Sequence, residues 1–204
     1  MDKRIITTAL ALLAITAIGC GDDDGTIPPV PTYDDTVAAG WTKYEAGDFD
    51  GALAAFAAAA SVDAARPDAF VGQGWSDLRR DALAGGRDAF LAGEAVADTA
   101  SAARSDLRAG LVFALNAMKD YDASNAWADS LLADAPAWAF AHESGLDAAD
   151  VRVVQAENLF ALGDFDASLA AVKALNPAFA LDTVATAADE AALAAEIERL
   201  RAAS

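Results

Sequence analysis

A chain of 204 residues with one histidine and one cysteine has few routes to side-chain catalysis. His142 is the only imidazole, so any Ser-His-Asp or Cys-His arrangement would have to pass through it. It follows Trp138 and Phe140 in an irregular stretch, where it reads as a loop histidine beside aromatics that plug a gap between the third and fourth repeat units. Cys20 is the only thiol and stands near the N-terminus, which leaves no partner for a disulfide and no set of thiolates for a metal centre. Carboxylates are plentiful and paired: Asp48 with Asp50, Asp120 with Asp122, and Asp164 with Asp166, each pair bracketing an aromatic. A calcium loop of the EF-hand type needs a glycine at its sixth place and a glutamate at its twelfth. Counted from Asp120, those places hold Asn125 and Leu131, so the pairs read as helix caps and first-turn charges instead. No glycine-rich phosphate loop is present. The expectation is a protein that is not an enzyme and needs no cofactor or metal.

The elements that position these residues are legible because the chain repeats itself. Gly47-Asp48-Phe49-Asp50 returns as Gly163-Asp164-Phe165-Asp166, with a weaker copy at Lys119-Asp120-Tyr121-Asp122. In each copy the first residue ends one helix, the first Asp caps the next, and the second Asp meets the positive end of the helix dipole. Apolar residues follow at helical spacing. Alanine-rich composition and the near absence of strand alternation complete an all-helical reading.

The period is measurable. Gly40 and Gly74, Trp41 and Trp75, Phe56 and Phe90, and Val37 and Val71 are each 34 residues apart, and Tyr44 and Leu78 keep the same step. With small residues at Gly40, Ala52, Gly74, Gly86, Ala59 and Gly93, this pattern resembles the tetratricopeptide repeat (TPR). The family's usual first-helix tryptophan position is held by Thr36 and Phe70. The resemblance implies an all-α, right-handed α-solenoid of about four helical hairpins with a C-terminal capping helix. The expected units are 34–66, 67–100, 101–136 and 147–177, with an irregular loop over 137–146 and the cap within 178–204. Asp34 or Asp35 is expected to cap the first helix, and the first helix of the third unit is expected to run from Ser105 to Met118. Leu193, Ile197 and Leu200 form a stripe suited to covering the last hairpin.

Ahead of the repeats, Asp2-Lys3-Arg4 precedes an uncharged stretch from Ile5 to Gly19, the pattern of a signal peptide over residues 1–19. It falls short of the roughly 20 apolar residues a spanning helix needs. Ala17-Ile18-Gly19-Cys20 resembles the lipobox of bacterial lipoproteins, which implies cleavage before Cys20 and a lipid on its thiol. Residues 20–33, with Asp22-Asp23-Asp24 and three prolines, read as a flexible acidic tether rather than a metal site. Loss of the signal takes the net charge from −18 to −19. Such a surface repels phosphate backbones, so nucleic acid is not an expected partner.

In the TPR family the first helices line a concave groove. The resemblance therefore implies a partner-binding stripe of Val37, Trp41, Tyr44, Val71, Trp75 and Leu78, flanked by Arg79, holding a protein or peptide. Arg79 and Arg80 can pair either with an acidic partner or with the chain's own carboxylates. The competing reading is that the tryptophans pack between hairpins as core. The function implied is a lipid-anchored, extracytoplasmic interaction scaffold or assembly factor of the bacterial cell envelope, in the outer membrane or periplasm if Gram-negative. The alternative is a lipoprotein that captures a peptide, glycan or small apolar molecule in the same groove.

Overall fold

The protein is described from a computed structural model covering residues 30–99 and 101–203; the expected signal segment, the expected lipid site at Cys20 and the expected tether up to residue 29 lie outside the described residues. Helix α1 (Tyr33–Glu45) starts at Thr32. The Thr32 hydroxyl accepts from the Asp35 amide at 3.2 Å while the Asp35 carboxylate accepts from the Thr32 amide at 3.0 Å. This reciprocal box corrects the expected cap: Asp34 and Asp35 sit in the first turn, where one reaches back to the true cap. Helix α2 (Phe49–Val62) is capped by Asp48, which accepts from the Gly51 amide at 3.0 Å. There follow α3 (Asp68–Arg79), α4 (Leu83–Val96), α5 (Ala102–Ala117), α6 (Tyr121–Asp134), α7 (Ala148–Ala161), α8 (Phe165–Leu175) and α9 (Ala187–Arg201). Helix α5 begins three residues before the expected Ser105, immediately after Ser101. The strand-like pairing among the described residues is a single bridge between Ala139 and Asp147.

All four hairpins turn through one backbone conformation. Gly47, Asp81, Lys119 and Gly163 have φ of 79°, 60°, 64° and 80°. This left-handed residue reverses the chain, and the next amide closes the preceding helix, as in Asp48 to the Lys43 carbonyl and Asp164 to the Leu159 carbonyl, both at 2.9 Å.

Packing within hairpins follows a second rule. Phe56 from α2 lies against α1 and α3 at positions held by Gly40 and Gly72, and a Cβ on Gly40 would fall 2.6 Å from the Phe56 ring. Phe90 from α4 meets Gly74 and Gly110 in the same way. The fourth hairpin keeps this order with Ala156 and Val172, and in the third the sizes are exchanged, Val112 on the first helix facing Ala128 on the second, all buried. The same volume is filled from the opposite helix, as a close-packed interior requires. Ser124 and Ser168, at the places of Ala52 and Gly86, donate to the Val112 and Ala156 carbonyls at 2.8 Å and so pin second helix to first.

Helices α1, α3, α5 and α7 touch one another in succession, whereas α2, α4, α6 and α8 pack only on the first helices to either side and, for α8, on α9. First helices thus form an inner wall and second helices an outer layer, the arrangement of a helical-repeat solenoid. Helix α9 closes the end by packing Leu193 and Ile197 against Ala156, Leu169 and Val172. Between hairpins three and four the seam is polar. Asn158, fully buried, donates to Ser124 at 2.9 Å and Asn125 at 3.0 Å and accepts from Asn116 at 2.7 Å.

Candidate functional site

The inner wall of hairpins one and two carries the stripe expected from the sequence, and the chain covers it. Ala52 and Gly86 mark one repeat position 34 residues apart, but Ser124 and Ser168 mark it 44 apart, and the α6–α7 connection holds eight residues more than the link between α2 and α3. That connection forms a strap over 135–147. The Phe140 amide donates to the Leu146 carbonyl at 2.9 Å, and the Ala148 amide donates to the Trp138 carbonyl at 2.9 Å, which folds the strap on itself. Gly145, at φ 91°, supplies the reversal.

Extended backbone alternates its side chains, and the strap shows it residue by residue. Ala137, Ala139 and Ala141 are exposed, Trp138 and Phe140 are buried, and His142 is half-buried. Phe140 stacks on Trp75 with ring centroids 4.4 Å apart and meets Trp41 edge-on at 5.9 Å and Tyr44 at 6.4 Å. His142 lies flat on Trp41, centroids 3.6 Å apart and planes within 4°, with Nδ1 2.8 Å from the Glu45 carboxylate. Trp138 donates its indole N–H to Asp106 at 2.7 Å. Glu143 ends the row: one oxygen accepts from Arg79 at 3.2 Å and the other from the Tyr44 hydroxyl at 3.1 Å.

The geometry amends two expectations and decides between the two readings of the arginines. Tyr44, Val71 and Trp75 retain 4%, 3% and 3% of their exposure, so the stripe faces the strap rather than an open groove. Val37, Trp41 and Leu78 pack against the same cluster from its edge. The plug anticipated around His142 reaches back across the wall to hairpins one and two, because only there does the wall offer tryptophans for the strap's rings. The arginines find the chain's own carboxylates: Arg79 pairs with Glu143, and Arg80 with Asp50 at 2.6 Å and Asp77 at 2.8 Å.

Sequence reasoning missed Asp106 and Glu143. Asp106 sits on α5 beneath the strap, and its backbone carbonyl also accepts the Trp75 indole N–H at 3.3 Å. Burial pushes its carboxyl up to about 6, against the Trp138 hydrogen bond and the nearby His142, which pull the other way. Burial and the neighbouring Glu143 carboxylate likewise raise the Tyr44 phenol. Two clefts flank His142. One of about 320 Å³ is lined by Tyr44, Glu45, Phe49, Arg79 and Glu143, and one of about 150 Å³ by Trp41, Asp68, Val71 and Asp106. No cluster of metal-ligating side chains occurs among the described residues.

No protein-family model matches this chain, and no curated protein does. Solved structures do. MamA superposes with a TM-score of 0.59 at 13% identity, covering 85% of this chain and 82% of that one. YrrB, described as a TPR protein with an unusual peptide-binding site, gives 0.57 at 16% identity over 70% of this chain and 68% of that one. A tetratricopeptide repeat protein from Parabacteroides merdae gives 0.57 at 11% identity over 84% and 60%. The fold is an all-α, TPR-like solenoid.

Proposed function

We propose that this protein is a non-catalytic interaction scaffold that holds an extended segment of a partner protein on its inner helical wall, and that it works from a lipid anchor at Cys20 outside the cytoplasmic membrane of a bacterial cell. The observation that carries the binding half is the strap. An extended, non-helical stretch lies across α1, α3 and α5, fastened by side chains alone: two buried rings, an imidazole stacked on an indole, and a carboxylate shared by Arg79 and Tyr44. A surface that seats its own extended segment has the chemistry to seat another. The solenoid fold supports the reading by analogy, as a fold hosts many tasks. The anchor rests on the lipobox-like run ending at Cys20.

The test has two arms. Cys20→Ser should move the protein from the membrane fraction to the soluble fraction; retention on membranes removes the anchor. Affinity capture from detergent-solubilised envelope should return a stoichiometric protein partner. The second reading, capture of a small ligand, draws on the clefts beside His142; it gains if capture returns the protein with a co-purified small molecule and no protein partner.

A further inference from the structure

We infer that the strap is an internal occupant of the binding site, and that the external partner is an extended peptide of the same chemistry: aromatic, any residue, aromatic, and an acid three residues further on. The inference rests on the inner wall being the binding surface and adds to it the identity of the recognised pattern and the competitor built into the chain.

Three independent features lead to it. The strap is surplus to the fold, since hairpins one and two connect through a link eight residues shorter and still pack α2 on α3. Its Phe140–Leu146 backbone hydrogen bond lies within the strap, and the Trp138 and Pro136 carbonyls accept from Ala148 and Arg152 of α7, so these bonds tie the strap beside its own end and not to α1 or α3. What it gives the wall is a row of side chains whose spacing the wall matches. Trp75 presents a face to Phe140, Asp106 presents an acceptor to the Trp138 indole, and Arg79 with the Tyr44 hydroxyl presents a carboxylate clamp at Glu143. A cationic clamp is notable on a chain of net charge −18, where most arginines are already paired along the helices. It selects an acidic group at one place in the ligand and repels a basic one there.

Tethering sets the competition. A strap linked at both ends acts at an effective concentration on the order of millimolar, so a free peptide with equal contacts is held off until the strap is weakened or the peptide binds better. Weakening the strap without touching the wall should therefore uncover the site.

The experiment uses the full chain and a fluorescent synthetic peptide of residues 135–147. Phe140→Ala/Glu143→Ala should bind this peptide saturably by anisotropy, at least tenfold more tightly than wild type. Adding Arg79→Ala to that double variant should weaken binding at least tenfold, and a peptide carrying alanine at both replaced positions should not compete. Equal affinity for wild type and the double variant overturns the inference. So does absence of binding by a double variant that remains helical by circular dichroism, or a double variant that dimerises by exchanging straps and takes up no peptide. Should the double variant not fold, Glu143→Ala alone decides: it removes only the clamp contacts and must bind the peptide several-fold more tightly than wild type. A stoichiometric partner from the envelope together with no peptide binding would leave the scaffold standing and remove the strap as its competitor. Peptide binding without such a partner would do the reverse.

Discussion

Phe140 lies stacked on Trp75, ring centroids 4.4 Å apart and planes at 25°, although one belongs to the strap and the other to α3, with three further helices between them in sequence. The contact makes one of the most aromatic positions of the repeat part of the core, with Trp75 at 3% and Phe140 at 4% exposure. Truncating a buried aromatic costs about 3–5 kcal/mol. Trp75→Ala should lower stability by that much in urea denaturation, since Phe90 and Phe113 also rest on its ring. Phe140→Ala should cost less than Trp75→Ala, because the strap can relax. Equal, negligible losses would mean that neither ring is packed as described.

The exchange of large and small residues between helices predicts coupling. Gly74→Ala drives a methyl into the Phe90 ring, which is held on its other side by Gly110, and overpacking of this kind costs about 1–3 kcal/mol. In a Phe90→Leu background the same substitution should cost clearly less. A double-mutant cycle measured by chemical denaturation checks this, and additive losses would contradict it.

The four hairpin turns offer an internal comparison. Lys119 and Asp81 occupy the left-handed position that Gly47 and Gly163 fill elsewhere. A side chain there carries a steric cost of roughly 1 kcal/mol. Lys119→Gly should raise the melting temperature by an amount corresponding to roughly 0.5–1 kcal/mol, and Gly163→Ala should lower it by a similar amount.

Asp106 predicts a pH dependence. Its carboxyl is raised from 3.8 to about 6 in the folded protein, so the folded state keeps the proton through a window in which the unfolded chain has lost it. The associated stability is fully present below pH 3.8 and is lost as pH rises through about 6. Asp106→Asn keeps an acceptor for the Trp138 indole and removes the buried charge. The variant should exceed wild type at pH 7.5 by up to about 3 kcal/mol, with the gap closing by pH 4. The Asp35 and Asp189 carboxyls, held low by Thr32 and Thr186, and the Glu196 carboxyl, held at about 2 by Arg199 and Asn176, lose their stabilisation only in more acid solution. The difference between variant and wild type isolates Asp106.

Part of the strap is legible in the order of its residues. Large and small residues alternate along Ala137-Trp138-Ala139-Phe140-Ala141-His142, a period of two in a chain otherwise built on helical spacing, and the segment lies in a repeat step ten residues longer than 34. Those signals identify an extended insertion with one apolar edge. They contain nothing that says which surface the edge meets, because every inner-wall position is equally available to a tethered segment until the distances are known.

The sequence by itself determined the helices, the caps at Asp48 and Asp164, the left-handed turns at Gly47 and Gly163 and the order of the hairpins, since each depends on residues within a few positions of one another: a glycine before a capping aspartate, an apolar stripe at helical spacing. Only the tertiary structure decided that the aromatic stripe of α1 and α3 is covered, that Arg79 holds Glu143, and that Asp106 is buried. Each of these is a meeting of groups far apart along the chain, and the balance of burial, ring stacking and charge that selects it exists only once the inner wall has been stacked.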